Sequence, residues 1–286
     1  MMEAICDLHI HSVFSDGTDT PAQLIQLAQQ RGVSAVALCD HNTVAGLPAF
    51  LEAARGSDVR AVPGIEFSTD YDNTELHILA LFVKPQHYGV ITQQTEQLLQ
   101  RKEQSNLDLI AGLRTVGIEI DYDAIKASHP QGSINRAVIA SEMKRLGYCQ
   151  SVKEAFGSWL SEERGFFRPP RRPDALETIR FIRSIGAVAV LAHPFLNLEE
   201  ARLREFLPLA VEAGLLAMEV YYPKFSAEQT ALAKCMAEEF GLLPSGGSDY
   251  HGNNKPDIGL GTGCSNLHIP LTVLEKLAAR AGETAS

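Results

Sequence analysis

The chain has 286 residues, 45% hydrophobic and 21% charged, which suits one large packed domain or one domain carrying an insertion and excludes a disordered chain. Its formal net charge of -10 repels nucleic-acid backbones at long range and argues against extended duplex binding, while leaving room for a basic patch inside a pocket. Cys6, Cys39, Cys149, Cys235 and Cys264 form no CxxC pair and read as reduced thiols. Residues 1–7 carry no basic, apolar leader and no run is long enough to span a bilayer, so a cytoplasmic protein without a membrane partner is expected.

Short apolar runs alternate with amphipathic patterns, which predicts an α/β architecture. Strands are expected at 4–9, 35–39, 61–67 and 76–82, and after a long gap at 188–192, 217–221 and 242–245. Helices are expected at 21–31, 47–55, 173–185, 199–213, 226–240 and 271–279. Pro21, Pro173 and Ser226 stand at predicted helix starts, where a first-turn proline or a capping serine is favoured. The stretch 87–172 shows helical patterns at 93–113, 135–146 and 152–160 and no strong strand. The expected organisation is therefore an α/β domain made of 1–86 and 173–286, with 87–172 as a helical insertion capping its active site. The pattern by itself fits either a closed barrel or an open doubly wound sheet.

The strand ends carry the chemistry. In Asp7-Leu8-His9-Ile10-His11 alternate side chains share a face, so His9 and His11 can grip one metal, with Asp7 one step back as a supporting partner. Asp16 follows in a turn before Gly17. The second strand runs into Asp40-His41, the third carries Glu66 between Ile65 and Phe67, and the fourth carries His77. The fifth ends in His193-Pro194 and the last in Gly247-Ser248-Asp249-Tyr250-His251. An acid among apolar neighbours costs free energy to bury unless it is paired or metal-bound. Nine donors result: His9, His11, Asp16, His41, Glu66, His77, His193, Asp249 and His251. At about three protein ligands per catalytic ion, they suit two or three divalent ions, and an imidazole–carboxylate set without thiolate suits manganese, iron or zinc.

These motifs, in this order from residue 7 to residue 251, resemble those of the PHP (polymerase and histidinol phosphatase) family of metallophosphoesterases. The resemblance implies a distorted seven-stranded, amidohydrolase-like β/α barrel, manganese being the favoured ion. It also implies a grouping: His9, His11, Glu66 and Asp249 on one ion, Glu66, His77 and His193 on a second, and Asp16, His41 and His251 on a third. The segment Gly132-Ser133-Ile134-Asn135-Arg136 resembles one in small members that act on nucleotides, although Val138 stands where a histidine is usual.

The expected activity is hydrolysis of the 3'-phosphate of nucleoside 3',5'-bisphosphates by attack of a metal-bound hydroxide. Alternatives are a 5'-to-3' exonuclease on short RNA, a histidinol-phosphate phosphatase, or a non-catalytic metal-binding module. Glu66, His193 and Asp40 are the expected catalytic groups. Arg136, Asn135, Ser133 and Lys224 are the expected substrate contacts, Arg136 because a guanidinium binds phosphate bidentately. Arg164, Arg168, Arg171 and Arg172 form a basic stretch that either attracts anions or is a solvated linker. The substrate is expected to be a small phosphorylated nucleotide or short RNA; the sequence does not fix the oligomeric state.

Overall fold

The structure is a computed structural model that describes residues 4–130 and 134–282. The chain divides into two compact units, Met1–Thr92 with Arg172–Ser286, and Gln93–Arg171. No helix among the described residues is long and apolar enough to cross a membrane.

The first unit is a seven-stranded sheet in the order β1-β2-β3-β4-β5-β6-β7. Its strands are β1 (Ile5–Ile10), β2 (Val33–Leu38), β3 (Arg60–Tyr71), β4 (Thr74–Leu81), β5 (Val188–Leu191), β6 (Ala217–Tyr221) and β7 (Leu243–Gly246). The two edges meet. Asp249 N–H donates to His9 O at 2.8 Å, and His11 N–H donates to Tyr250 O at 2.9 Å. The segment after β7 thus closes the sheet on β1 into a barrel, which removes both free edges. The helices α1 (Pro21–Gln30), α2 (Leu47–Ala54), α7 (Ala175–Ser184), α8 (Glu200–Ala213), α9 (Ala227–Glu239) and α10 (Leu271–Ala281) belong to this unit.

The predicted strands are found with shifted ends, and one runs unexpectedly. Strand β4 is antiparallel to both β3 and β5, whereas the remaining pairs are parallel. It follows β3 through a two-residue turn at Asp72 and Asn73, both with positive φ (48° and 62°), the backbone that a tight hairpin demands. His77 therefore lies in the first half of its strand rather than at its end.

Period two divides the strands between two layers. Val36, Leu38, Ile65, Ile78, Leu191 and Met218 pack with Leu24, Phe50, Ile179 and Phe206 of the helices. Residues of opposite parity, including Ala35, Ala37, Val62, Leu79, Leu81, Val188, Val190 and Ala217, form a second cluster with Leu274 and Leu277 of α10. Glu66, His77 and Glu219 share the parity of this second set.

The second unit has its own core of Leu109, Ile110, Leu113, Ile125, Ile139, Met143, Leu160 and Phe167. It holds most of α3 (Tyr88–Arg114), then α4 (Tyr122–Ser128), α5 (Arg136–Arg145) and the single turn α6 (Val152–Ala155), which continues as a π turn at Phe156–Leu160. Helix α4 was not expected from the sequence, although Asp121 caps it through Ala124 N–H at 2.9 Å.

Candidate metal centre

The strands and the loops that follow them deliver six histidines and three carboxylates to one place. Glu66, fully buried on β3, is the hub. Its Oε2 lies 3.2 Å from His9 Nε2, 3.2 Å from His11 Nε2 and 3.1 Å from His41 Nδ1. Its Oε1 lies 2.8 Å from His77 Nδ1 and 3.1 Å from His193 Nε2. A second focus is Asp16, whose Oδ1 is 3.2 Å from His251 Nε2 and 3.7 Å from His11 Nδ1, while its Oδ2 is 3.8 Å from His41 Nε2. Asp249 Oδ1 stands 3.3 Å from His11 Nε2 and 3.9 Å from His9 Nε2.

The donor chemistry fits divalent ions. His9 Nε2, His11 Nε2, His41 Nδ1 and Glu66 Oε2 are buried and make no hydrogen bond, although the three nitrogens converge on that oxygen. Buried polar atoms are almost always satisfied, so four unsatisfied donor atoms aimed at one point are the signature of a cation site. Three sets of ligand atoms can each hold an ion: His11, Asp16, His41 and His251; His9, His11 and Glu66; and His41, Glu66 and His77. The sets share members, which is how a multi-ion cluster is built.

Strained backbone aims several of these groups. Asn42, His193 and Asp249 all have positive φ (54°, 28° and 56°), a conformation that costs a non-glycine residue roughly 1–3 kcal/mol and persists only where surroundings enforce it. Asn42 is held by Ser68, to which its Nδ2 donates at 3.0 Å and from whose N–H its Oδ1 accepts at 3.0 Å. Asp249 is anchored through Oδ2, which accepts from Tyr222 Oη–H at 2.9 Å and pairs with Lys255 Nζ at 2.7 Å.

Charge is balanced internally. Burial pushes the Glu66 carboxyl up, but the imidazoles of His41, His9 and His77 outweigh it and hold the group well below the usual carboxylate range. Burial opposes charge on His11 and His77 too; the Asp249 and Glu66 carboxylates beside His11 push it up to about 9, and Glu66 with Glu75 pushes His77 up to about 10. Both imidazoles thus carry protons at neutral pH in the metal-free protein. The sign follows: these pairs stabilise the metal-free fold below about pH 6.5 and lose that contribution as pH rises through about 9 and 10. A divalent ion competes with the same protons, so its affinity should rise with pH until about 9 for an ion held through His11. Calorimetric titration with Zn2+ in two buffers of different ionisation enthalpy should show proton release at pH 7; affinity flat from pH 6 to 9 would contradict it.

Most of the other expected residues have definite partners. Asp40 Oδ1 accepts from Ser12 N–H at 2.8 Å and Ser15 Oγ–H at 2.7 Å, and its Oδ2 from Ser12 Oγ–H at 2.6 Å, so it fixes the loop that carries Asp16. Asp7 does not support a histidine ring; it accepts from Ser248 N–H at 2.8 Å, Ser248 Oγ–H at 2.6 Å and Gly261 N–H at 2.7 Å. Asn135 is the cap of α5, its Oδ1 accepting from Val138 N–H at 3.0 Å. The Arg136 guanidinium lies 3.9 Å from the centre of the Phe167 ring and donates to Leu160 O at 3.2 Å. Ser133 lies outside the described residues. From the basic stretch, Arg172 pairs with Glu75 at 2.6 Å, and Arg164 Nε donates to Gly157 O at 3.2 Å. Lys224 does stand at the site, exposed, lining a cavity of about 260 Å³ with His41, Glu66, His77, His193 and Lys255.

Sequence reasoning missed four contributors. Glu219, fully buried on β6, accepts from His9 Nδ1–H at 3.0 Å and from His193 N–H at 2.6 Å. Tyr222 and Lys255 grip Asp249, and Glu75 lies 3.3 Å from His77 Nε2. Only Glu219 had a legible signal, an acid between Met218 and Val220, the same pattern that marked Glu66.

The PHP domain profile matches residues 7–155. The chain belongs to the PHP domain family. It is 31% identical over 254 residues to the 5'-3' exoribonuclease Rnm of Escherichia coli, covering 86% of this chain and 85% of that one. It is 30% identical over 259 residues to the phosphoribosyl 1,2-cyclic phosphate 1,2-diphosphodiesterase of Eggerthella lenta (88% and 97% covered). It is 27% identical over 260 residues to the 3',5'-nucleoside bisphosphate phosphatase of Chromobacterium violaceum (88% and 90% covered). A Bifidobacterium adolescentis structure described as a metal-dependent phosphoesterase superposes with a TM-score of 0.84 at 26% identity, covering 96% of each chain. This PHP domain protein is a metal-dependent phosphoesterase, and the non-catalytic alternative falls away.

Proposed function

We propose that this PHP domain protein removes the 3'-phosphate of nucleoside 3',5'-bisphosphates. The observation that carries this reading is the size and lining of the cavity over the metal centre. The cavity, about 260 Å³, is lined by His41, Glu66, His77, His193 and Asp249 together with Lys224 and Lys255, which suits a small phosphorylated group held between metal ligands and positive charge. The relative from Chromobacterium violaceum supports the same class.

In this reading His9, His11, Asp16, His41, Glu66, His77, His193, Asp249 and His251 hold two or three divalent ions, manganese being favoured over iron and zinc. When bound, such ions polarise phosphoryl oxygens and lower the pKa of water toward neutrality. The protein's own groups supply the rest. Glu66 reaches five imidazoles through its two oxygens and so fixes the spacing of the metal positions. Lys224 faces the cavity from its rim and neutralises an entering phosphate. Tyr222 and Lys255 keep Asp249 turned toward His11. Burial pushes its carboxyl up, but Lys255 together with His251, His11 and His9 outweighs it and holds the group well below the usual carboxylate range.

Lys224→Ala should raise KM for adenosine 3',5'-bisphosphate by roughly 5-fold and leave kcat nearly unchanged, as expected for an exposed charge that aids binding rather than the chemical step. A kcat loss with constant KM would place Lys224 in the reaction instead.

A second reading, a 5'-to-3' exoribonuclease on short RNA, is favoured by the higher identity to the Escherichia coli enzyme. It requires the same cleavage at a diester. The deciding experiment compares phosphate release from adenosine 3',5'-bisphosphate with shortening of a 5'-phosphorylated oligoribonucleotide, each with added Mn2+. Fast release from the bisphosphate and slow shortening support the phosphatase; the reverse result replaces it with the exonuclease.

A further inference from the structure

Glu219 sits beneath the metal centre and touches two of its histidines in two different ways. Its Oε1 lies 3.0 Å from His9 Nδ1, and its Oε2 accepts from the backbone N–H of His193 at 2.6 Å. The carboxylate and the His9 ring are both fully buried, so neither contact competes with water. His193 is one of the positive-φ residues, and the Glu219 bond lands on its own amide.

We infer that Glu219 is the positioning residue of the metal centre, fixing the His9 tautomer with one oxygen and the strained His193 backbone with the other. The inference rests on the metal-ligand roles proposed above. A carboxylate only accepts, so Nδ1 of His9 must be the donor in this contact. In the neutral ring, the form that binds a metal, the lone pair is then left on Nε2, the atom that points at Glu66 Oε2 from 3.2 Å. The second oxygen holds the turn that brings His193 Nε2 to within 3.1 Å of Glu66 Oε1. One buried side chain thereby sets a ligand atom on each side of the Glu66 carboxylate. Partners of this kind orient metal-bound imidazoles and raise their basicity.

The isosteric change Glu219→Gln isolates this role, because an amide has one accepting oxygen where the site needs two. If that oxygen keeps His193 N–H, the NH2 faces His9 Nδ1 and drives the ring to the other tautomer, with Nε2–H directed at the ion. If it keeps His9, the NH2 confronts the His193 amide and the turn is released. Either arrangement spoils one ligand.

The test uses the full chain stripped of metal and titrated with Zn2+ against a chromophoric chelator, alongside thermal melts. Glu219→Gln should bind its tightest Zn2+ about 10- to 100-fold more weakly than the wild type. A variant that melts lower yet binds Zn2+ within about 2-fold of wild type would show a purely structural role and overturn the inference. Failure of the wild type to bind Zn2+ would instead remove the metal reading itself, and this inference with it. Should the variant not fold, nitrogen chemical shifts of His9 in the Zn2+-loaded wild type decide: protonated Nδ1 with metal-shifted Nε2 supports the inference, and the opposite pattern overturns it.

Discussion

Glu66→Ala is expected to abolish phosphate release, by at least about 10³-fold in kcat, and to lower bound metal by about one ion per chain or more. The carboxylate is the only group in the cluster that reaches His9, His11, His41, His77 and His193 at once. Without it the imidazoles face one another across a gap, and the proposed ions lose their common ligand. No other carboxylate of the cluster replaces it, because the Asp16 and Asp249 oxygens address His9, His11, His41 and His251 but neither His77 nor His193, and Glu219 lies on the far side of His9. Glu66→Gln tests charge separately from size. It keeps the volume but turns an NH2 group toward ring nitrogens that need an acceptor or a cation, and it should fail almost as badly. Elemental analysis together with phosphate release checks both variants. Full metal with full turnover in either would remove Glu66 from the reaction.

The second large effect concerns a residue with no side chain. A Cβ on Gly247 would lie 2.2 Å from His9 Cβ and 2.5 Å from His9 N, inside the van der Waals radii of atoms fixed in a strand. The Gly247–Ser248 segment crosses against β1 where the barrel closes, with Asp7 holding Ser248 from one side and the Asp249 N–H bonding His9 O from the other. Gly247→Ala must push His9 or open the closure. Overpacking of this kind costs about 1–3 kcal/mol where flexible side chains can give way, and more against backbone. A fall in melting temperature of about 5 °C or more, with Zn2+ affinity lost in parallel, is the expected outcome. A stable variant with normal metal binding would mean that the closure is looser than the geometry shows.

The ligand set was legible because most of its donors interrupt or follow apolar strands, a pattern that costs free energy unless something pairs with it. His9 and His11 are two apart on β1, and Glu66 stands between Ile65 and Phe67. The same signal at Glu219, between Met218 and Val220, passed unnoticed because it sits mid-strand rather than at a rim. What the sequence could not show is which partner takes each oxygen. Asp40 read as a catalytic group and Asp7 as a partner behind the histidines; the structure shows Ser12 and Ser15 on the oxygens of the first and Ser248 and Gly261 on those of the second. Asn135, read as a substrate contact, also caps α5, a role that its position before the helix could have shown. The direction of β4 was hidden because alternation looks the same either way along a strand; the clue was the Asp72-Asn73 pair, which marks a tight hairpin.

That reversed strand also has a consequence for the order in which the barrel assembles. The β3–β4 hairpin closes through two residues and needs almost no search, whereas Leu81 of β4 must find Val188 of β5 across the entire helical unit. Loop closure slows as the intervening chain lengthens, and pairings distant in sequence limit folding rates. A helical unit that condenses early around Leu109, Ile139 and Met143 shortens the span still to be closed. Substitutions in the core of the helical unit should therefore slow refolding of the barrel.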